Sequence, residues 1–267
     1  MVSWDNIQLS RRFCIIALTL LCSGGCPMWG KTSASLSDEK YTRQSAVGMI
    51  KASRGVLAPV YGPLAEQIVT DFDLDKKTGI GIDLGSGPGT LIIELCKRTK
   101  LHWINADINP HFFAYFFRSA EEHGFGHRVS AVFTDAHSLA FRDNYADIII
   151  SRGSFHFWKD KVKAFGEIYR VLKPGAAAYI GRGFSENLPV ETAKKIRAQQ
   201  GKMNYDVEKT ANQLRQIMID LGIKNYYIRK PKPAGTEGVN YGIWVEFHKP
   251  EAKDKLSKQK NISNAKE

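Results

Sequence analysis

The chain has 267 residues, 43% of them apolar and 24% charged, with a formal net charge of +11. That length suits one α/β domain plus extensions, with enough interior to bury a substantial core. Four cysteines, of which only Cys96 lies beyond residue 26, exclude a disulfide framework in the body of the protein.

At the N-terminus, Arg11 and Arg12 precede an apolar stretch, residues 13–22, and then Ser23-Gly24-Gly25-Cys26. This is the outline of a secretory signal peptide. About ten apolar residues are too few to span a bilayer, which needs about 20. Cys26 after small residues has the form of a lipoprotein cleavage site, although Ser23 stands where leucine is usual. Ser10-Arg11-Arg12 matches a twin-arginine signal only in part, because Phe13 follows at once. Residues 1–27 are therefore read as a leader, or as the product of a start codon placed too early, with Met28 as the true start. Residues 28–40 read as a linker and 41–249 as the folded domain. Residues 250–267 form a charged tail without aromatics, expected to be disordered.

A short apolar run, Ile80-Gly81-Ile82, leads into Asp83-Leu84-Gly85-Ser86-Gly87-Pro88-Gly89, and a helical pattern follows from Thr90. Strand, glycine turn, helix is the entry to a nucleotide-type cofactor site. The helix is expected to begin near Pro88 or Gly89, since proline suits a first helical position. Counted from Gly85, the dinucleotide fingerprint G-x-G-x-x-G meets Thr90 at its third glycine, which disfavours NAD. The pattern present is D-x-G-x-G-x-G. Its bland alternative is a βα turn that holds no ligand.

A second strand, 101–106, ends in Asp107-Ile108-Asn109-Pro110. Asp107 lies 18 residues past Gly89. A carboxylate at that strand tip can accept from a ribose diol, and it can also cap the next helix. A third strand, 128–133, leads to Thr134-Asp135-Ala136, where Asp135 also suits a turn. The fourth, 146–151, is the nearly continuous apolar run that a sheet covered on both faces requires. It gives out into Arg152-Gly153-Ser154-Phe155-His156-Phe157-Trp158. A helix then ends in Glu167-Ile168-Tyr169-Arg170-Val171-Leu172-Lys173-Pro174-Gly175, where Pro174 and Gly175 are expected to stop it and turn the chain into a fifth strand, 176–180. Two helices follow, 190–201 and 206–221, the second with Leu214, Ile217, Met218 and Leu221 on one face. Strand-like stretches 224–230 and 239–248 are joined by a Pro- and Gly-containing turn. Strands alternating with helices predict a parallel sheet covered on both faces.

The run from Asp83 to Gly89 resembles motif I of the class I S-adenosylmethionine (SAM) methyltransferases. Phe141-Arg142-Asp143-Asn144-Tyr145-Ala146-Asp147 is similar to the P-F-x-D-x-x-F-D stretch of the small-molecule group that includes the ubiquinone and menaquinone biosynthesis enzymes. Ala140 stands in place of the proline and Ala146 in place of the second aromatic. Arg170-Val171-Leu172-Lys173-Pro174-Gly175 matches that group's late motif without a gap. The resemblance covers about residues 45–248. It implies a Rossmann-like, doubly wound α/β fold: a mostly parallel seven-stranded sheet with an antiparallel last strand and helices on both faces.

It also implies SAM as cofactor, and a residue set to hold it. Asp83, Gly85, Ser86, Gly87 and Gly89 would lie beside its amino acid end, with Asp83 accepting from the ammonium directly or through water. Asp107 and Ile108 would meet the ribose side. Asp135 would accept from the adenine amino group, and the amide of Ala136 would meet a ring nitrogen. Ser151 and Arg152 would complete the set from the fourth strand. The acceptor side would draw on Tyr41, Tyr61, Arg152, His156 and Trp158, with His156 as the candidate base; a histidine packed between Phe155 and Phe157 is the competing reading.

The activity so implied is in-line transfer of the sulfonium methyl to a small-molecule acceptor. A catalytically silent SAM-binding regulator or partner is the alternative, and an NAD-dependent oxidoreductase a weaker one. No metal is expected. His123 and His127 are separated by Gly124 and Gly126, and neither H-E-x-x-H nor paired C-x-x-C occurs. Nucleic acid is disfavoured because the positive residues are scattered and the fourth strand does not end in an N-P-P-Y-type motif. An anionic small substrate or an acidic membrane surface suits the charge better. Cys96 reads as buried packing. SAM is made and held in the cytoplasm, which favours activity there, while the leader keeps export or membrane association through the N-terminus as the competitor. No residue pattern speaks to the oligomeric state.

Overall fold

The computed structural model describes residues 41–200 and 206–252. The expected leader and linker, 1–40, and the tail from residue 253 lie outside the described residues. Among the described residues, no helix is long and apolar enough to cross a membrane.

The chain enters through α1 (Arg43–Arg54), capped by the Thr42 hydroxyl on the amide of Ser45, and α2 (Ala58–Asp71). Five strands then run in parallel: β1 (Ile80–Leu84), β2 (His102–Asp107), β3 (Val129–Phe133), β4 (Ala146–Arg152) and β5 (Leu172–Gly183). Between them lie α3 (Thr90–Cys96), α4 (Phe113–Glu122) and α5 (Lys161–Val171). After α6 (Val190–Gln200) and α7 (Val207–Asp220) come β6 (Tyr226–Arg229) and β7 (Gly242–His248), both antiparallel in their pairings. The strand order is β3-β2-β1-β4-β5-β7-β6, so β7 is inserted between β5 and β6. This is the expected doubly wound sheet.

Period-2 alternation splits the core cleanly. Ile148 and Ile150 of β4 and Trp244 of β7 belong to the cluster that α2, α3 and α4 cover. Ile82, Leu84, Ile149, Ile243, Val245 and Phe247 belong to the opposite cluster, covered by α5 and α7. Successive strand residues point to opposite faces, so an apolar run buries both. Tyr179 and Trp244 stack face to face across β5 and β7, centroids 4.6 Å apart and planes 3° from parallel. Such a pair adds about 0.5–1.5 kcal/mol beyond the area it buries.

One expectation needs correction. Pro174 and Gly175 do not turn the chain between two elements, because β5 begins at Leu172, directly after α5. Leu172 pairs with Ala146 and Ala177 with Ile148, so the residues between them form a bulge within one strand. Lys249 holds that bulge. Its carbonyl accepts from Gly175 at 2.8 Å, and its amide donates to Ala176 at 2.9 Å.

The order of strands places β2 and β4 on either side of β1, with the chain reversing its direction of travel there. Open α/β sheets bind ligands outside the carboxyl ends of the strands at such a switch point.

Candidate cofactor and acceptor site

Asp83 is the penultimate residue of β1, in register with Asn105 on one side and Ile150 on the other. Its Oδ2 accepts from the Ser86 hydroxyl at 2.8 Å, while Oδ1 is buried without a hydrogen-bond partner among the described residues. Burial pushes this carboxyl up to about 7; the Ser86 bond and Arg152 act against that, and the nearby Asp107 adds to it.

Asp107, at the tip of β2, is also buried. Its Oδ2 accepts from the amide of Gly87 at 2.7 Å and its Oδ1 from that of Asn109 at 2.8 Å. Burial raises its pKa, and those amides pull it back. It does not cap the next helical turn; the Asn109 side chain does so, accepting from the amide of His111. The strand holds the glycine turn at two more points. The Asn105 amide group donates to the Gly87 carbonyl at 3.0 Å, and Gly85 N–H donates to the Ala106 carbonyl at 2.7 Å. Asn105 is absent from the expected site residues, although a buried asparagine inside an apolar strand needs a polar partner.

Two glycines of the turn are dictated by crowding. Gly85 (φ 69°) faces the Ser154 side chain, and Gly89 (φ 74°) faces the Phe116 ring, so a Cβ at either would collide. Ser154 in turn donates to the Leu84 carbonyl at 3.1 Å and lies 2.5 Å from the Ser151 hydroxyl. The turn is thus packed between β2 and the end of β4. The helix after it begins at Thr90, later than expected, because Gly89 is left-handed and stands outside it as the cap.

The loop after β3 carries Asp135, half-exposed, and buried Ala136. Thr134 braces the loop from inside, its hydroxyl accepting from Ala140 N–H at 2.9 Å. Leu139 N–H donates to Glu167 of α5 at 2.9 Å, and Arg170 holds Glu167 through two bonds of 2.8 Å. Ile108 is half-buried beside Asp107.

Arg152 closes β4 with its guanidinium 5.3 Å from the ring centre of Tyr61, a buried residue of α2. Desolvation lowers the Arg152 pKa, and Tyr61 and Asp83 counter it. Burial likewise raises the Tyr61 hydroxyl. His156 lies in the helical turn Phe155–Phe157, its ring centre 3.9 Å from that of the exposed Phe157. Tyr41 is half-buried just before α1. Trp158 departs from the acceptor-side expectation: it is buried in the core, edge-on to Phe165 of α5. Cys96 is buried in the core with its thiol pushed up to about 11, as expected of packing. No cluster of three or more metal-ligating side chains occurs among the described residues.

Buried carboxylates from the ends of β1 and β2 flank a glycine turn at a switch point, the arrangement of nucleoside-cofactor proteins of the doubly wound class. The comparisons make the class specific. A family profile described as a methyltransferase domain matches residues 82–180. A solved Methanococcus maripaludis protein, described as an S-adenosyl-L-methionine-dependent methyltransferase, is 30% identical with a TM-score of 0.69, covering 81% of this chain and 97% of that one. The chain belongs to the SAM-dependent methyltransferases, a family of enzymes that use SAM as cofactor. Among curated relatives, demethylmenaquinone methyltransferase of Thermus thermophilus is 35% identical over 106 residues, 39% of this chain and 47% of that protein. The chloroplastic 2-methyl-6-phytyl-1,4-hydroquinone methyltransferase of Arabidopsis thaliana is 33% identical over 98 residues, 36% and 28%. The chain thus spans less than half the length of these two relatives.

Proposed function

We propose that the protein transfers the methyl group of SAM to a small-molecule acceptor by in-line displacement. One observation carries the fit of this chain's residues to the cofactor: the buried Oδ1 of Asp83 lacks a donor beside a turn anchored on both flanks. An ammonium group supplies that donor, and its positive charge compensates a buried carboxylate. When bound, SAM supplies a methyl group already activated on a sulfonium.

The chain's own residues then have the following tasks. Asp83 accepts from the ammonium, with Gly85, Ser86, Gly87 and Gly89 giving the backbone surface beside it. Asp107 has its amide bonds on one lone pair of each oxygen and keeps the others for a ribose diol. Ile108 offers apolar contact. Asp135 accepts from the adenine amine and the Ala136 amide donates to the ring. Ser151 and Arg152 line the β4 side, where the guanidinium balances negative charge. His156 takes the proton of a protonated acceptor. Positioning supplies most of the acceleration, because well-oriented reactants gain about 7–11 kcal/mol relative to a bimolecular encounter.

Two observations support an aromatic acceptor as the narrower reading. The two curated relatives are named for a menaquinone-type compound and a 1,4-hydroquinone, and Phe157, 52% exposed against His156, offers a ring face just beyond β4. We place the activity in the cytoplasm, where SAM is held; mass spectrometry of the mature N-terminus checks this, and a lipidated chain starting at Cys26 overturns it. The function itself is tested by following release of S-adenosylhomocysteine from SAM against a metabolite extract, with calorimetric titration of SAM and NAD alongside. Binding of SAM without turnover on any extract favours the silent binding protein, and binding of NAD in its place removes the proposal.

A further inference from the structure

His137 takes no part in the assignments above, yet its amide and both ring nitrogens are engaged at the loop that carries Asp135. Its amide donates to Asp135 Oδ1 at 2.9 Å, and its Nδ1 lies 2.6 Å from the same oxygen. Its Nε2 meets the amide of Asp160 at 3.2 Å. A backbone amide can only donate, so Nε2 must carry the lone pair and the imidazole proton must sit on Nδ1. The ring therefore donates to Asp135 and accepts from Asp160. Asp160 is itself fixed, because its side chain caps α5 by accepting from Lys163 N–H at 2.9 Å.

Both donors from His137 converge on Oδ1, which leaves Oδ2 of Asp135 without a hydrogen bond from the described residues. We propose that His137 is a positioning residue: tied to the first turn of α5, it holds the Asp135 carboxylate in one rotamer with Oδ2 directed to the ligand, and so sets selectivity for a 6-aminopurine over a 6-oxopurine. The chemistry is that of complementary groups. A carboxylate oxygen attracts an exocyclic amine and repels the carbonyl oxygen that replaces it in an inosine-type base. A carboxylate free to rotate, 45% exposed at its side chain, would swing to solvent and lose much of that discrimination. The inference rests on the reading of Asp135 as the adenine partner.

The test measures binding of S-adenosylhomocysteine and S-inosylhomocysteine by calorimetry to the full chain and four variants. Asp135→Asn should remove most of the preference for the adenine compound. His137→Ala should cut that preference by about tenfold, the scale of a lost hydrogen bond to a charged group, while binding of the inosine compound and the unfolding temperature stay near wild type. His137→Asn places an amide donor where Nδ1 stood and should retain most of the preference; His137→Gln reaches only towards Asp160 and should not. If Asp135→Asn loses the preference but His137→Ala keeps it, the positioning role is wrong and the reading of Asp135 stands. If Asp135→Asn keeps it, that reading falls first. An equal loss for both compounds with a lowered unfolding temperature reduces His137 to a structural residue; should His137→Ala fail to fold, the Asn and Gln pair makes the same distinction.

Discussion

The carboxylate of Asp107, at the tip of β2, accepts from the amide of Gly87 in the turn after β1 across 2.7 Å. The residue proposed to receive a ribose is therefore also the anchor of the turn proposed to receive the amino acid end. Two halves of the proposed cofactor site share one side chain.

Asp107→Ala should consequently damage the protein without ligand as well as with it. Loss of two amide bonds to a buried carboxylate should lower stability by at least about 1.5–3 kcal/mol, the range for a single hydrogen bond to a charged group. Urea unfolding of the free protein measures this. An unchanged midpoint would mean that the turn is held without Asp107.

Gly89→Ala should be worse than Gly124→Ala, although both glycines are left-handed (φ 74° and 77°). A left-handed backbone costs an L-residue about 1–2 kcal/mol. At Gly124 nothing lies within 4 Å of the added methyl, whereas at Gly89 it meets the Phe116 ring. Overpacking adds about 1–3 kcal/mol. Equal destabilisation of the two variants would contradict the crowding at the turn.

Ligand affinity should rise with pH through the region of Asp83. Its carboxyl, lifted from 3.8 to about 7 in the folded chain, is largely neutral below that point and cannot balance an ammonium there. Affinity for S-adenosylhomocysteine should therefore climb as pH rises through about 7 and level off above it. The effect on folding has the opposite sign. Between 3.8 and about 7 the folded chain binds a proton that the unfolded chain has released, so this group's contribution to stability falls as pH rises across that window. Asp83→Asn should flatten both dependences, as calorimetry and thermal unfolding at several pH values would record.

His156→Ala should lower turnover while leaving cofactor affinity near wild type. A base matched to the working pH contributes about 10²–10⁴-fold. Steady-state rates with the methyl acceptor, beside calorimetric binding of S-adenosylhomocysteine, separate the two effects. Unchanged turnover would leave His156 as the ring that packs on Phe157.

Arg152→Lys should be tolerated by the fold and poorly tolerated by the site. Lysine keeps the charge but loses the planar group that lies over Tyr61. A weaker cofactor titration at unchanged unfolding temperature is the expected outcome; a matching loss of stability would make Arg152 a packing residue.

Much of this protein was determined locally. The strands are readable because burial on both faces demands continuous apolar runs such as Ile148-Ile149-Ile150, and the turn after β1 is readable because the left-handed backbone at Gly85 and Gly89 favours glycine. These are constraints between neighbours or between a residue and its own backbone. The tertiary structure alone decided the rest. The bulge at Pro174-Gly175 depends on Lys249, 74 residues beyond Gly175. Trp158 reads as an acceptor residue until its contact with Phe165 draws it into the core. The shared duty of Asp107 and the orientation of His137 depend on partners brought together from separate strands and helices. A hydrogen bond needs its two atoms within about 3 Å and aligned, and spacing along a chain cannot encode that when the partners meet only after the sheet has formed.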